Sequence, residues 1–436
     1  MSSLARQSNT LAGLLLRVIL TCFAASVWAQ QPLPSPLSLE QALVIADETH
    51  PDRLLADAAL AQAMARRQQI ESVYDTQLKL TGELRAIDPS EIAVYQTHND
   101  SLARLNLSKQ LYDFGRTARA EEAADATLAS REWRLKAVRQ QRRLEVMQRF
   151  FAVLLADLKN ARDNEALSIA FIRFDRASNR HELGKVSDVD LLELESHYQQ
   201  TRRELSASGN QQRITRSQLA ISLNRPTDLP ADLVAPDIEV KPFTDDLEPW
   251  VEKALSGNPE LLALRAGVEA ARKRLQASEA ADNPVLRGEL EAATYERELG
   301  GRNPLTAALV FEVPLYTGSR VDAEAAEQRA ILQQKEAELK AFELQIHQQV
   351  LEVWLALDRL RVEAEALFVT ADFRDLSLDR SRTLYDLDMQ TDLGDSMTQI
   401  ADIQWRMAEN QYDRLLLLAR LKALTGSLLP TEETQE

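Results

Sequence analysis

The side chains able to do chemistry in this chain are poorly assembled for it. Of five histidines, His50, His98, His197 and His347 are isolated, and only His181 is followed by an acid, Glu182. A zinc protease would need a second histidine four positions after the first, on the same helical face, and Lys185 stands there. A turn histidine beside an acid is otherwise a solvated pair. The lone cysteine, Cys22, excludes an intramolecular disulfide and a cysteine zinc cage. No glycine loop cradles a phosphate and no Gly-x-Ser-x-Gly elbow presents a serine. A paired-carboxylate hydrolase needs a pocket, which long helices do not supply. The sequence therefore predicts no catalysis, no metal and no cofactor. One acidic cluster remains, at Asp388, Asp392 and Asp395, the last two spaced to share one helical face. What it can do depends on the elements that hold it.

Length alone would allow about three domains, but 13 glycines and 15 prolines in 436 residues are too few for a turn-rich β fold and favour long uninterrupted elements. Alanine, leucine, glutamate, glutamine and arginine dominate, as in helices with narrow apolar seams. A net charge of -16 argues against nucleic acid as a partner, since nothing would neutralise a run of phosphates. The start differs from the rest. Arg6, an apolar stretch over 11–25 interrupted by Arg17, and small residues at Val27-Trp28-Ala29 predict a signal peptide over 1–29. Two other readings compete. Lipidation at Cys22 is disfavoured by Thr21 before it, and a buried helix by the abrupt end of apolar periodicity at Gln30-Gln31-Pro32. No later run of eighteen apolar residues follows, so the mature chain could cross a membrane only as strands.

The chain reads as one unit written twice. A constant offset of 204 places Leu111 on Leu315, Tyr112 on Tyr316, Arg116 on Arg320, Leu183 on Leu387 and Asp188 on Asp392. A small indel earlier brings His50-Pro51 opposite Asn258-Pro259. The expected organisation is a first repeat over 30–224, a proline-rich linker over 225–246, a second repeat over 247–427 and a short acidic tail over 428–436. Each repeat opens with a helix, the first over about 39–73 behind a Ser38 cap that forms a capping box with Gln41.

Two period-two segments follow in each copy. The first pair lies at about 76–87 and 102–112, the second at about 285–295 and 304–316. Leu78, Leu80 and Leu84, then Leu105 and Leu107, alternate with polar residues, although Lys109 interrupts the apolar side. Leu286 and Leu290, then Leu305, Leu309, Phe311 and Val313, repeat the pattern. Each segment is about ten to twelve residues, the length of a tilted membrane strand. Ordinary hairpins packed on the helices are the alternative. The aromatic girdle is thin, with Tyr112, Tyr295 and Tyr316 as the strand-end candidates. Long proline-free stretches come next, over about 113–180 and 318–385, each about 100 Å of helix. Leu332, Leu339, Ile346, Val353, Leu360 and Leu367 recur every seven residues, a coiled-coil seam. Tips at about 181–188 and 386–392 turn each helix back. Gly184 and Ser187 are suited to a positive φ and a helix cap, and Thr391 is the second cap.

This order of elements resembles the TolC family of outer-membrane efflux proteins. The likeness is carried by Leu39-Glu40-Gln41-Ala42-Leu43 leading to His50-Pro51, by Gln110 to Arg116 after the second strand, by Gly184 to Leu192 at the first tip, and by Val313 to Arg320. The resemblance implies a mainly α fold with a small β part. Long coiled-coil hairpins build an α-barrel, and four membrane-spanning strands per chain join a 12-stranded β-barrel in a homotrimer. It implies an exit duct in the outer membrane of a Gram-negative bacterium, embedded in lipid, with a periplasmic extension. Its partners would be a periplasmic adaptor and an inner-membrane pump or ABC exporter. Four strands cannot close alone, so oligomerisation follows from the strand reading itself.

At the tips the sequence departs from the family. The first keeps Gly184 with Asp190 and Glu193; at the second, Asp388 replaces the glycine and Gly394 and Met397 replace the two acids. The expectation is an acidic constriction from Asp388, Asp392 and Asp395, with adaptor docking at Gly184, Lys185, Ser187 and Asp388. Solvated turn acids are the bland alternative. The eleven strand residues named above, Leu78 to Val313, are expected to face lipid. The alternative function is a non-conducting periplasmic coiled-coil scaffold.

Overall fold

The computed structural model describes residues 33–48, 50–237, 243, 246–297, 302–387 and 393–429. The signal segment, Cys22, Thr391, Asp388 and Asp392 lie outside the described residues. Each half has the same order of elements. The first runs α1 (Leu39–Ala46), α2 (Pro51–Glu71), β1 (Gln77–Glu83), β2 (Leu102–Tyr112), α3 (Arg116–Glu182) and α4 (Asp188–Ser222). The second runs α5 (Leu247–Gly257), α6 (Pro259–Glu279), β3 (Val285–Tyr295), β4 (Leu305–Glu312), α7 (Arg320–Asp386) and α8 (Leu393–Leu424).

The opening helix expected over 39–73 is two helices. Pro51 lacks an N–H to continue α1 and biases the residue before it away from helical geometry, so it starts α2 instead. His50 caps that start, its Nδ1 accepting from the Asp52 N–H at 3.2 Å. Pro259 divides α5 from α6 in the same way, with Asn258 as the cap. The Ser38–Gln41 capping box is present. Both α3 and α7 have 67 residues, close to the lengths expected. The seam on α7 is buried at Ile346, Val353 and Leu360 and half-buried at Leu332, Leu339 and Leu367.

Two apolar cores lie partway along the long helices. One packs Leu37, Leu39 and Ala42 on Val146, Phe150 and Val153 of α3, with Tyr412 stacked on Phe151 at 4.9 Å. The other packs Ala254 and Leu261 on Ile346, Val350, Val353 and Leu357 of α7. Burying a side chain of this size contributes about 1.5–3 kcal/mol, so each short helix is fastened where its long partner is most apolar. Nearer the strands, α2, α3, α6 and α7 stand side by side in that order.

The four strands form one antiparallel sheet in the order β1-β2-β3-β4. The first is shorter than expected. The β1–β2 ladder ends at Glu83 opposite Leu102, and Leu84 lies beyond it, 95% exposed. There the Asp100 N–H turns to the Arg85 carbonyl at 2.8 Å and the Ser101 hydroxyl takes the Arg85 N–H at 3.3 Å. At the other end β4 stops at Glu312, which leaves Val313 outside it beside Pro314, a residue with no N–H to donate. The hairpins do not pack on the helices, and the alternative that required it is set aside.

Candidate functional site

Residues directly opposite in an antiparallel sheet share a face. One row joins Leu78, Leu107, Leu290 and Ala307, and the next joins Leu80, Leu105, Ala292 and Leu305. Gly288 with Leu309, and Leu286 with Phe311, complete the face. Nine of the residues expected to share a lipid-facing surface are thus on one side of the sheet; Leu84 and Val313 are beyond the strand ends. Lys109, which interrupts the pattern, lies opposite Gly288.

The apolar side is the uncovered one. Leu80 is 74% exposed and Leu309 71%, whereas Arg104, Asn106, Ser108 and Gln110 of β2 are half-buried between exposed Ala103, Leu105, Leu107, Lys109 and Leu111. On the polar side Arg104 meets Glu291 at 3.3 Å and Arg287 pairs with Glu312. A sheet in water normally hides its leucines; this one leaves them open, while the half-buried polar positions are those of the two inner strands. Both outer strands also have unpaired edges.

Aromatic residues gather at the helix end of the apolar face. Phe114 meets Tyr112 edge-on at 4.7 Å and Phe311 at 6.2 Å, a group of three rings of which the sequence reading had singled out Tyr112. Tyr295 instead lies across from Leu102, on the polar side, with the Arg302 guanidinium 5.2 Å from its ring. In the loops at the far end, Arg302 grips the buried Asp100 at 2.7 and 3.3 Å, and Arg297 donates to the Tyr95 carbonyl at 2.9 Å. The Arg302 bond holds the Asp100 carboxyl below its ordinary pKa.

At the junction of strand and helix, the buried Asp113 accepts from the Tyr74 hydroxyl at 2.7 Å, Gln110 Nε2 at 3.0 Å and the Thr117 N–H at 2.8 Å, and also from the Thr117 hydroxyl. Burial presses the Asp113 carboxyl up, yet the bonds from Thr117 and Tyr74 outweigh it and hold the pKa below the usual value. Burial and the bond to Asp113 push the Tyr74 phenol up to about 12. At the second junction the Thr317 hydroxyl donates to both Asp282 carboxylate oxygens, at 3.2 and 3.1 Å. The sequence reading missed this pair of latches.

The first tip is closed by a Schellman turn. Gly184 has φ +71°, its N–H donates to the His181 carbonyl at 2.7 Å, and the Lys185 N–H donates to the Arg180 carbonyl at 3.0 Å. Ser187 caps α4 by accepting from the Asp190 N–H at 3.2 Å. His181 ties the two sides together, with Nδ1 3.0 Å from the Val186 carbonyl and Nε2 3.3 Å from Asp188. Leu183, Val189 and Leu192 stand exposed around it, and the space beside the Gly184 Cα is open.

At the second tip, Asp395 is exposed in the first turn of α8 and accepts from Gln399 Nε2 at 2.7 Å. Gly394 has a packing reason: a Cβ there would lie 2.8 Å from Cγ2 of Ile169 on α3. An acid at that position would meet the flank of α3 and not an open space. Met397 is 41% exposed. Among the described residues no group of His, Cys, Asp and Glu side chains could hold a metal ion, and no helix is long and apolar enough to cross a membrane.

Residues 250–427 match the family model described as outer membrane efflux protein. No curated protein sequence matches the chain. Solved structures match along nearly its whole length. The outer membrane protein VceC of Vibrio cholerae aligns with a TM-score of 0.72 at 18% identity, over 89% of this chain and 96% of its own. The CmeC outer membrane channel of Campylobacter jejuni aligns with a TM-score of 0.73 at 12% identity, over 90% and 86%. The open state of the MtrE outer membrane channel of Neisseria gonorrhoeae gives 0.63 at 16% identity, over 89% of each chain. At these identities the likeness is one of fold. The likeness to outer membrane efflux proteins thus rests in sequence on residues 250–427 and in fold on 89–90% of the chain.

Proposed function

We propose that the protein is a trimeric outer-membrane channel, the passive exit duct of a tripartite efflux or type I secretion system. The observation that carries this is the inverted sheet. Its leucine face is uncovered, the polar side of its two inner strands is half-buried and both its edges are unpaired. Lipid on the apolar face, water on the polar face and strands from two further copies on the edges would satisfy all three at once. Three copies of four strands make a closed barrel of twelve, and the helices continue it into the periplasm of a Gram-negative cell. Transport needs no chemistry on the molecule that passes.

The tips are where partners would act. Gly184, Lys185 and Ser187 lie in an open turn flanked by exposed Leu183, Val189 and Leu192, which suits an apolar groove for the helical hairpin of a periplasmic adaptor; Asp388 is the counterpart at the second tip. An inner-membrane pump or ABC exporter would load the duct through that adaptor. Asp388, Asp392 and Asp395, repeated three times about an axis, would form an acidic constriction that favours cations. The test is the size and single-channel conductance of detergent-extracted protein in planar bilayers. A trimer that conducts, and loses cation selectivity with Asp392→Asn and Asp395→Asn, is expected. A water-soluble monomer without conductance would overturn the channel reading, and unchanged selectivity would overturn the gate alone.

A further inference from the structure

A cavity of about 470 Å³ opens where α2, α3, α6 and α7 stand side by side just below the strands. The two outer helices of this row, α2 and α7, both reach into it, so it occupies the concave side of the helical wall. Its floor is a run of alanines from α3 and α6, and its polar lining joins three guanidinium groups, Arg66 from α2, Arg116 from α3 and Arg274 from α6, to the neutral Thr127, Ser278 and Gln328. The single carboxylate at the edge, Glu324, pairs with Arg320 at 3.7 Å.

Among the described residues none of these three solvent-exposed arginines has a carboxylate partner, on a chain that has 67 acids against 51 basic residues. Among the described residues Arg274 donates to the Thr127 hydroxyl, at 2.9 Å, and Arg66 to the neutral Gln69, at 3.1 Å. Among the described residues the Arg116 guanidinium has no partner. Neighbours on the same helices behave differently: Lys273 pairs with Glu122 at 2.7 Å, and Arg67 pairs with Asp125. Partial desolvation and the nearby charge of Arg131 lower the Arg274 pKa. Alanines leave room and apolar surface, guanidinium groups supply planar forks of donors for an oxyanion, and the volume falls in the range of small-molecule sites.

We infer that this bowl binds an organic anion, a small apolar body bearing one carboxylate, sulfonate or phosphate group, with the head on Arg116 and Arg274 and the body on the alanine floor. Under the proposed function the concave side is the lumen, and the site would lie on the export path just before the barrel. Binding itself does not require conduction, so it can be measured separately.

The test is calorimetric titration of the full chain, extracted in a non-ionic detergent, with 2-naphthalenesulfonate and, separately, 2-naphthylmethylammonium. The sulfonate is expected to bind once per chain and the ammonium not at all. Arg116→Gln with Arg274→Gln should weaken the sulfonate by about tenfold or more for each guanidinium removed, while Arg382→Gln, at a distant surface pair with Asp379, leaves it unchanged. The charge-reversed pair Arg116→Glu with Arg274→Glu should turn the preference to the ammonium, an outcome that loss of folding cannot imitate. Equal binding of both probes, sulfonate binding that survives Arg116→Gln with Arg274→Gln, or no sulfonate binding would each overturn the inference, whether or not the protein conducts.

Discussion

Leu107 is at the centre of the exposed sheet face, between Leu78 of β1 and Leu290 of β3. If that face meets lipid, Leu107→Arg places a guanidinium near the bilayer midplane, at a cost of about 2–4 kcal/mol per chain. Three chains that assemble together would carry roughly three times that penalty. The next residue, Ser108, points to the other side, opposite Gln77 and Glu289. Ser108→Arg gains a carboxylate neighbour and stays in water, so its effect should be within about 0.5 kcal/mol. The two substitutions introduce the same side chain one residue apart in one strand, and only the facing differs. If the sheet were bathed in water on both sides, Leu107→Arg would merely exchange an exposed leucine for a charge, with an equally small effect. The assay is urea unfolding of each variant refolded into lipid vesicles, followed by the gel mobility of the folded barrel. The per-chain penalty corresponds to a loss of roughly 30- to 1,000-fold in the folding equilibrium for Leu107→Arg. Equal stability of the two variants, or a more stable Leu107→Arg, would refute the lipid-facing assignment and the channel with it.

Two further outcomes follow from the helical part. Gly394→Val should destabilise by about 1–3 kcal/mol through overpacking against Ile169, and Ile169→Ala in the same chain should recover most of the loss; thermal melts of the single and double variants measure this. Asp413, with Glu363 and Glu409 nearby, has its pKa raised by burial first, with Glu363 adding to it against Arg359. A raised carboxylate destabilises the folded chain when charged, above its folded pKa, and that cost is relieved as pH falls through it. Asp413→Asn should therefore raise the melting temperature at neutral pH, with the gain shrinking toward about pH 4; a gain that grows on acidification would contradict the sign.

What the sequence made legible was local and periodic. Alternation at Leu105, Leu107, Leu286 and Leu290 survives without context, and so does the seven-residue seam through Ile346 and Val353. Pattern fails where a partner decides. Leu84 continues the alternation of β1, but the opposite strand has ended at Leu102 and the ladder stops with it. Pro51 was readable as a helix start, yet the apolar residues on both sides of it run on as if one helix continued. Gly394 departs from the family pattern for a reason that lies on α3, in a residue far off in the chain. The three arginines of the bowl come from three helices, and nothing in their spacing announces that they converge.

The strand-to-helix junctions carry the argument furthest. The correspondence that sets Pro51 on Pro259 also sets Tyr74 on Asp282, and the one that sets Leu111 on Leu315 sets Asp113 on Thr317. In the first half the residue before the strand is the hydroxyl donor and the residue after the partner strand is the carboxylate; in the second half the roles are exchanged. The hydrogen bond persists although neither residue is kept, which supports reading the halves as diverged copies of one unit. It also says what the junction needs. A bond to an ionised carboxylate contributes about 1.5–3 kcal/mol, and in both places it ties the segment entering one strand to the turn leaving its neighbour. It fixes the angle at which a helix about 100 Å long departs from the sheet. Over that length a few degrees at the junction become several ångströms at the tip, so the angle must agree between the two halves and, in the proposed trimer, among its copies, if the tips are to meet.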